Sequence, residues 1–201
     1  MTVDTTTPHS PLEAWSDRLA RLAPGARAVE QPFLTQLTLR VTDSAAASAV
    51  GDALGVSLPA APCTFTAGAG PYGELGVLWM GPDEYLVLGR PGSQVDLEDA
   101  LRAALSGSRG AVTDVSAQRT TITLAGPRSR DVLAHGCSID LHPSAAPTGT
   151  CVQTMLARAG VVLLVDDADR DQFTLLVRSS FAEYLAAWLV DASVEYREWA
   201  T

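Results

Sequence analysis

Two spacings of apolar residues alternate along the chain. Apolar residues at every second position predict β-strands, and apolar residues three or four positions apart predict helices. The strands predicted in this way are 33–41, 75–80, 85–88, 111–115, 120–124, 152–158, 161–165 and 173–177. The predicted helices run from Ser10 to about Leu22, 44–54, 94–105, 127–135 and from Phe181 onward. Neighbouring strands recur between helices, so the pattern predicts an α+β fold with largely antiparallel sheets covered by helices.

Residues that begin and end helices support several of these elements. Asp43 is placed to cap the second helix, and Gly55 to end it. Ser10 and Glu13 form a capping signature before the first helix, and Ser180 and Glu183 form another before the last. The Pro-, Ala- and Gly-rich stretch 59–73 is interpreted as a loop.

The order of elements divides the chain into two similar parts. Residues 1–9 are predicted to be a disordered tail, 10–109 a first α+β half and 110–201 a second. We expect two split βαβ-like halves that pack together as one unit. In the second half, 111–115 is predicted to pair with 120–124, which would allow an ion pair between Asp114 and Arg119. A site that faces a partner or a ligand is the alternative for these two residues.

Composition narrows the class of protein. The 201 residues are 47% hydrophobic and only 18% charged, against a usual charged fraction of about 25%. Either a partner covers part of the surface, or alanine-rich codon usage inflates the apolar count. The formal net charge of −9 argues against binding nucleic acid or an anionic membrane, since both need a basic surface.

Cysteine usage and the N-terminus point to one compartment. The three cysteines form no CxxC pair, so we expect buried free thiols in a reducing environment rather than a disulfide scaffold. The segment MTVDTTTPHSP has neither a basic start nor an apolar run, so it does not predict a signal peptide. No window reaches the roughly 18 apolar residues that a membrane-spanning helix needs. The expected location is the cytoplasm.

The residues that might carry chemistry give only weak signals. Cys137, Asp140 and His142 lie close in sequence, but zinc sites usually need a second pair of ligands, and local hydrogen bonds explain these residues better. Neither a GxSxG elbow nor a GxGxxG loop occurs. Arg128 and Arg130 open a helix and would bind an anion or a partner carboxylate there. Pairing with a local acid such as Asp131 is the alternative.

Four blocks of the sequence together resemble one family. The first is a strand followed by a helix that opens with Gly126-Pro127, and Thr121, Thr123 and Ala125 share one strand face while Ile122 and Leu124 share the other. The blocks are DVSAQRTTITLAGPRSRD (114–131), WMGPDEYL (79–86), GCSIDLHP (136–143) and SSFAEYL (179–185). In this order they resemble the gamma subunit of heterotetrameric sarcosine oxidase, and the likeness covers the chain from about Ser10 onward.

The resemblance implies a reduced form of the folate-binding aminomethyltransferase fold. It also implies alpha, beta and delta partner subunits, which would carry FAD, FMN, NAD, zinc and the site for tetrahydrofolate. It implies no catalytic, cofactor-binding or metal-binding residue in this chain. The residues proposed as partner or anion contacts are Arg119, Arg128 and Arg130.

Two other functions stay open at this point. The first is an autonomous folate-binding or aminomethyl-transfer protein, although the chain is much shorter than full aminomethyltransferases and no residue matches their catalytic aspartate. The second is a free-standing interaction module, which would be a stable monomer.

Overall fold

The computed structural model of the chain describes residues 8–197. Its strands are β1 Arg27–Gln31, β2 Thr35–Val41, β3 Phe65–Gly70, β4 Gly73–Gly81, β5 Glu84–Gly89, β6 Gly110–Asp114, β7 Arg119–Ala125, β8 Cys151–Leu156, β9 Ala159–Asp167 and β10 Gln172–Arg178. Its α-helices are α1 Ser16–Leu19, α2 Ser44–Leu54, α3 Gln94–Ala104, α4 Ser129–Ala134 and α5 Ala182–Ala192. Of these helices, none combines the length and the apolar composition that crossing a bilayer requires.

The strands form two five-stranded sheets. The first sheet has the order β3-β4-β5-β2-β6, and the second has the order β1-β7-β10-β9-β8. Every neighbouring pair of strands in both sheets is antiparallel. The predicted α+β class, with antiparallel sheets and helices, is confirmed.

The sheets and helices make four layers. One apolar core lies between the first sheet and helices α2 and α3, and a second lies between the other sheet and helices α1, α4 and α5. A third, smaller core joins the inner faces of the two sheets. Its buried residues are Leu78, Leu86, Cys151, Val162, Leu164 and Leu176. A cleft opens between the inner faces beside this strip.

Helix α2 shows how local sequence sets an element. The Asp43 side chain accepts a hydrogen bond of 2.8 Å from the backbone N–H of Ala46, which satisfies a donor that the first turn leaves unpaired. Gly55 ends the helix in the left-handed region at φ 71°. The buried residues of the helix, Val50 and Leu54 among them, lie on the face toward the first sheet.

Of the two predicted N-terminal caps, one forms: the Ser10 hydroxyl accepts the backbone N–H of Leu12 at 3.2 Å. Leu12, Leu19 and Leu22 are buried in the core of the second sheet, so the segment docks on its own chain. The first turn is a 3-10 turn, and Glu13 accepts from His9 instead of reaching back to a cap. No side-chain cap opens α5, so the capping prediction for its start was wrong. Residues 1–7 of the predicted disordered tail lie outside the described residues.

The predicted pairing of 111–115 with 120–124 was wrong. Strand β6 pairs with β2 in the first sheet, and β7 pairs with β1 and β10 in the second. The chain crosses between the sheets at Ser116, which donates to the Asp114 carboxylate at 2.6 Å. Asp114 and Arg119 therefore belong to different sheets and form no ion pair. Each half of the chain gives one strand to the other half's sheet.

The sequence pattern did not predict two of the strands, and it began another strand two residues too early. Strand β1 had no predicted counterpart, and β3 lies inside the stretch that was interpreted as a loop. Phe33 precedes β2 in a turn at φ 60° and is 47% exposed, so it is not part of the buried alternation.

Candidate functional site

A cleft between the inner faces of the two sheets is the first candidate site. Its volume is about 530 Å³. One wall comes from β3, β4 and β5, and the opposite wall comes from β7, β9 and β10. Leu78 and Leu164 of the inter-sheet core close its inner end. A mostly apolar cleft of this size with a few polar groups is typical of sites for small organic ligands.

Polar groups line both sides of the cleft: Glu74 of β4 and Arg90 after β5 on the side of the first sheet, and a set of hydroxyls and a carboxylate on the second sheet. The Thr174 hydroxyl donates to the Asp166 carboxylate at 2.7 Å, and the Thr123 hydroxyl donates to the Val29 carbonyl at 3.2 Å. Thr121 is 1% exposed, and its Oγ1 has no hydrogen-bond partner in the structure. A buried hydroxyl without a partner is costly, so this atom is suited to bind a polar group of a ligand in the cleft. The predicted shared face of Thr121 and Thr123 is confirmed.

Burial raises the pKa of the Asp166 carboxyl, although the hydrogen bond from Thr174 acts in the opposite direction. The folded chain therefore binds this proton more tightly than the unfolded chain. As the pH rises from the unfolded pKa through the raised folded pKa, this group lowers the free energy of unfolding. At pH values above the folded pKa, this group lowers the free energy of unfolding by a constant amount.

The variant Asp166→Asn should show this linkage. Its free energy of unfolding relative to the wild type should rise with pH across the window and stay constant above it, because asparagine keeps an acceptor for Thr174 without the charge. Urea unfolding between roughly pH 4 and pH 8 measures the trend. Asp169→Asn, at an exposed carboxyl in the next turn, is the control for loss of one negative charge. A difference that is the same at every pH would contradict the prediction.

The three arginines proposed as partner or anion contacts do not form one site. Arg128 and Arg130 lie at the start of α4, whereas Arg119 is the first residue of β7, at the other end of that strand. Arg128 pairs with Asp131 at 2.9 Å, which is the local pairing considered as the alternative. The guanidinium of Arg130 pairs with Asp171 at 2.6 Å and donates to the Ala168 carbonyl.

Arg130 and Arg128 should differ in their effect on stability. The Arg130–Asp171 pair is only 20% and 24% exposed, and the guanidinium lies 5.3 Å from the centre of the Phe173 ring. Arg130→Gln should lower the free energy of unfolding by about 1.5 kcal/mol, because hydrogen bonds to a charged group are lost at a half-buried position. Arg128→Gln, at a pair that is 51% and 45% exposed, is the matched control and should cost less than about 0.5 kcal/mol. Urea denaturation of both variants checks this, and equal losses would contradict it.

Strand register reveals site residues that sequence reasoning missed. Arg178 lies directly opposite Arg119 on β10, and Thr174 and Asp166 join Thr121 in the cleft. The sequence does give one indication of these residues: they are polar residues at every second position within or next to apolar strands. Without the register, that indication does not show which strands are neighbours.

The loop that follows α4 holds its polar residues by local bonds. The Asp140 carboxylate accepts from the backbone N–H of His142 at 2.9 Å, and the His142 ring contacts the Ser144 hydroxyl at 2.7 Å. Within residues 8–197, no group of three or more His, Cys, Asp or Glu side chains is placed to hold a metal ion. Cys63, Cys137 and Cys151 are free as predicted, but the expectation that all are buried was wrong, since Cys63 is exposed and Cys137 half-buried. Burial raises the pKa of the Cys151 thiol to about 12.

Sequence comparisons identify one family. The model of the sarcosine oxidase, gamma subunit family matches residues 40–195. Sarcosine oxidase subunit gamma of Corynebacterium sp. strain U-96 is 38% identical over 176 residues, which are 86% of this chain and 82% of that protein. Subunit gamma of an Arthrobacter species is 36% identical over 191 residues, which are 94% of this chain and 91% of that protein.

Structural comparisons agree with the sequence. A chain of heterotetrameric sarcosine oxidase from Corynebacterium sp. U-96 has a TM-score of 0.85 at 32% identity, and the match covers 96% of this chain and 98% of that one. Aminomethyltransferase T of the Bartonella henselae glycine cleavage system has a TM-score of 0.64 at 15% identity, over 88% of this chain and 48% of that one. The second likeness shows the fold alone, and it confirms the expected aminomethyltransferase-like fold.

Proposed function

Because the chain belongs to the sarcosine oxidase gamma subunit family, we propose that it is the gamma subunit of a heterotetrameric sarcosine oxidase and has no catalytic residue of its own. The complex oxidises sarcosine with O2, releases glycine and hydrogen peroxide, and transfers the methylene carbon to tetrahydrofolate as 5,10-methylenetetrahydrofolate. The observation that carries the proposal is the match to a chain of the Corynebacterium enzyme over nearly the whole length of both chains.

The partners in this proposal are the alpha, beta and delta subunits. FAD, FMN, NAD, zinc and the tetrahydrofolate site belong to those subunits, and this chain contributes to their assembly and stability. We place the complex in the cytoplasm, and the three free thiols support that choice because free cysteines are typical of reducing compartments.

Expression of the four subunits together, with and without this chain, tests the proposal. The complete set should give a yellow complex of four subunits that produces peroxide when sarcosine is added. Omission of this chain should reduce the yield of assembled complex, because the surface of the other subunits that binds this chain would be exposed to solvent and no longer stabilised by binding. An alpha–beta–delta complex with unchanged yield and activity would argue strongly against the assembly role.

Folate binding by this chain itself is the second candidate, and the cleft between the sheets favours it. The cleft has the volume of a small-ligand site, and the Thr121 hydroxyl inside it lacks a partner. Calorimetric titration with tetrahydrofolate tests this function, with Thr121→Val as the variant that removes the hydroxyl at constant size. Binding that weakens in this variant would support the second candidate, and no heat of binding with the wild-type chain would exclude it.

A further inference from the structure

Two arginines face each other across adjacent strands of the second sheet. Arg119, the first residue of β7, is paired in register with Arg178, the last residue of β10. Residues directly opposite in an antiparallel pair project from the same face, with their Cβ atoms about 5 Å apart. Two like charges in this position repel each other and destabilise the pair of strands.

No acidic residue compensates these two charges in the described part of the chain. The ion pairs there use other arginines, and neither guanidinium forms a side-chain hydrogen bond. Burial, and then the charge of Arg178, lower the pKa of Arg119. The whole chain has 23 acidic and 14 basic residues, so an arginine pair without an acid is not explained by a shortage of acids.

A recess of about 380 Å³ lies beside the two arginines. Its apolar part is formed by Val162 and Leu176 and by Met155, whose side chain is 51% exposed. Gly160 has no side chain, and a Cβ placed there would meet only the Met155 sulfur at 3.9 Å, which leaves the recess open. No carboxylate lines it. One side of the recess is therefore cationic and the other is apolar.

Two exposed aromatic residues lie at the same end of the sheet, at the start of α5, which packs on the opposite face from the recess. Phe181 is 44% exposed and Tyr184 is 38% exposed, and their rings pack edge to face at 6.4 Å. The Tyr184 hydroxyl accepts from the backbone N–H of Arg158 at 3.3 Å, which ties the start of α5 to the turn between β8 and β9. These two aromatic residues are therefore not part of the recess on the inner face.

We propose that this surface, defined by Arg119, Arg178 and Met155, docks an acidic segment of a partner subunit. A carboxylate of the segment lies between the two guanidiniums, and an apolar neighbour fills the recess beside Met155. A small free anion would satisfy the arginines but leave the apolar recess exposed, so the combination of charge and apolar surface favours a protein segment. The inference rests on the proposed function and names the surface through which this chain joins the complex.

The affinity of the full chain for the purified alpha–beta–delta complex tests the proposal. The double variant Arg119→Gln/Arg178→Gln should bind at least tenfold more weakly, because the partner carboxylate would lose its charge-assisted hydrogen bonds. Arg119→Lys/Arg178→Lys keeps both charges and should recover part of the affinity. Arg102→Gln/Arg109→Gln removes the same charge from exposed positions near the end of α3 and should bind like the wild type.

Two further measurements separate docking from folding and from a small-anion site. The melting temperature of the double glutamine variant should equal or exceed that of the wild-type chain, because the repulsion is relieved. A lower melting temperature would mean that the arginines are structural, which overturns the proposal. Two results together would show a small-anion site and would also overturn the proposal. Inorganic phosphate would stabilise the wild-type chain but not the variant, and the variant would assemble normally.

Binding of the wild-type chain separates a failure of the proposed function from a failure of the proposed docking surface. If the wild-type chain does not bind the alpha–beta–delta complex, the proposed function fails. If the wild-type and double glutamine chains bind equally well, the function stands and the docking surface lies elsewhere.

Discussion

Gly126→Ala should lower the free energy of unfolding by about 3 kcal/mol, because a side chain at this position meets backbone on a neighbouring segment. Gly126 has φ 120°, and a Cβ there would lie 2.4 Å from the Gly25 carbonyl oxygen. That oxygen accepts the backbone N–H of Arg128 at 2.8 Å, so it cannot move away without the loss of a hydrogen bond at the start of α4. Urea unfolding of the purified chain measures the loss.

Gly107→Ala is the control that measures the cost of a positive φ without a steric clash. Gly107 has φ 82°, and nothing lies within 4 Å of the place where its Cβ would be. Its substitution should cost only about 1–2 kcal/mol, the penalty for an ordinary residue in the left-handed region. If both variants lose the same stability, the contact with Gly25 does not contribute, and the explanation for Gly126 is wrong.

Phe173→Ala should destabilise the chain by about 3–5 kcal/mol, the usual range for removing a buried aromatic ring. Phe173 is fully buried on β10, the central strand of the second sheet, in the core that the sheet shares with its helices. The centre of its ring also lies 5.3 Å from the Arg130 guanidinium, so the substitution removes that contact as well. The free energy of unfolding from urea titrations checks this value.

Phe33→Ala provides the matched comparison. Phe33 is 47% exposed in the turn before β2, and its removal should change the free energy of unfolding by no more than about 0.5 kcal/mol. A loss below about 1.5 kcal/mol for Phe173→Ala would mean that the surrounding core collapses into the cavity, which would contradict the prediction.

The sequence predicted the elements whose signals lie within a few adjacent residues. Helix α2 is one case, since Asp43 and Gly55 act on the backbone of the residues beside them. Strand β7 is another, because its alternation already separates the face toward the core from the face toward the cleft. The four sequence blocks that resemble the gamma subunit family also predicted the identity that the comparisons show.

The missed strands have a physical explanation. Strands β1 and β3 both lie at the edge of a sheet, where one side of the strand has no neighbour. Strand β3 is FTAGAG, and glycine and alanine have low intrinsic preference for strands. Strand β1 is RAVEQ, which is short and has few apolar residues. Each becomes a strand because the backbone of its neighbour, β7 or β4, offers hydrogen bonds.

The sequence by itself determined the family, the α+β class and most helices and internal strands, because capping, apolar spacing and turn residues act locally. Only the tertiary structure decided which strands are neighbours, and with them both candidate surfaces. The register of β7, β10 and β9 places Thr174 opposite Thr123, so that Thr121, Thr174 and Asp166 line one cleft, and it places Arg119 opposite Arg178 at the other end. These pairings join residues far apart in the chain, and the packing of whole sheets selects them, so no local pattern specifies them.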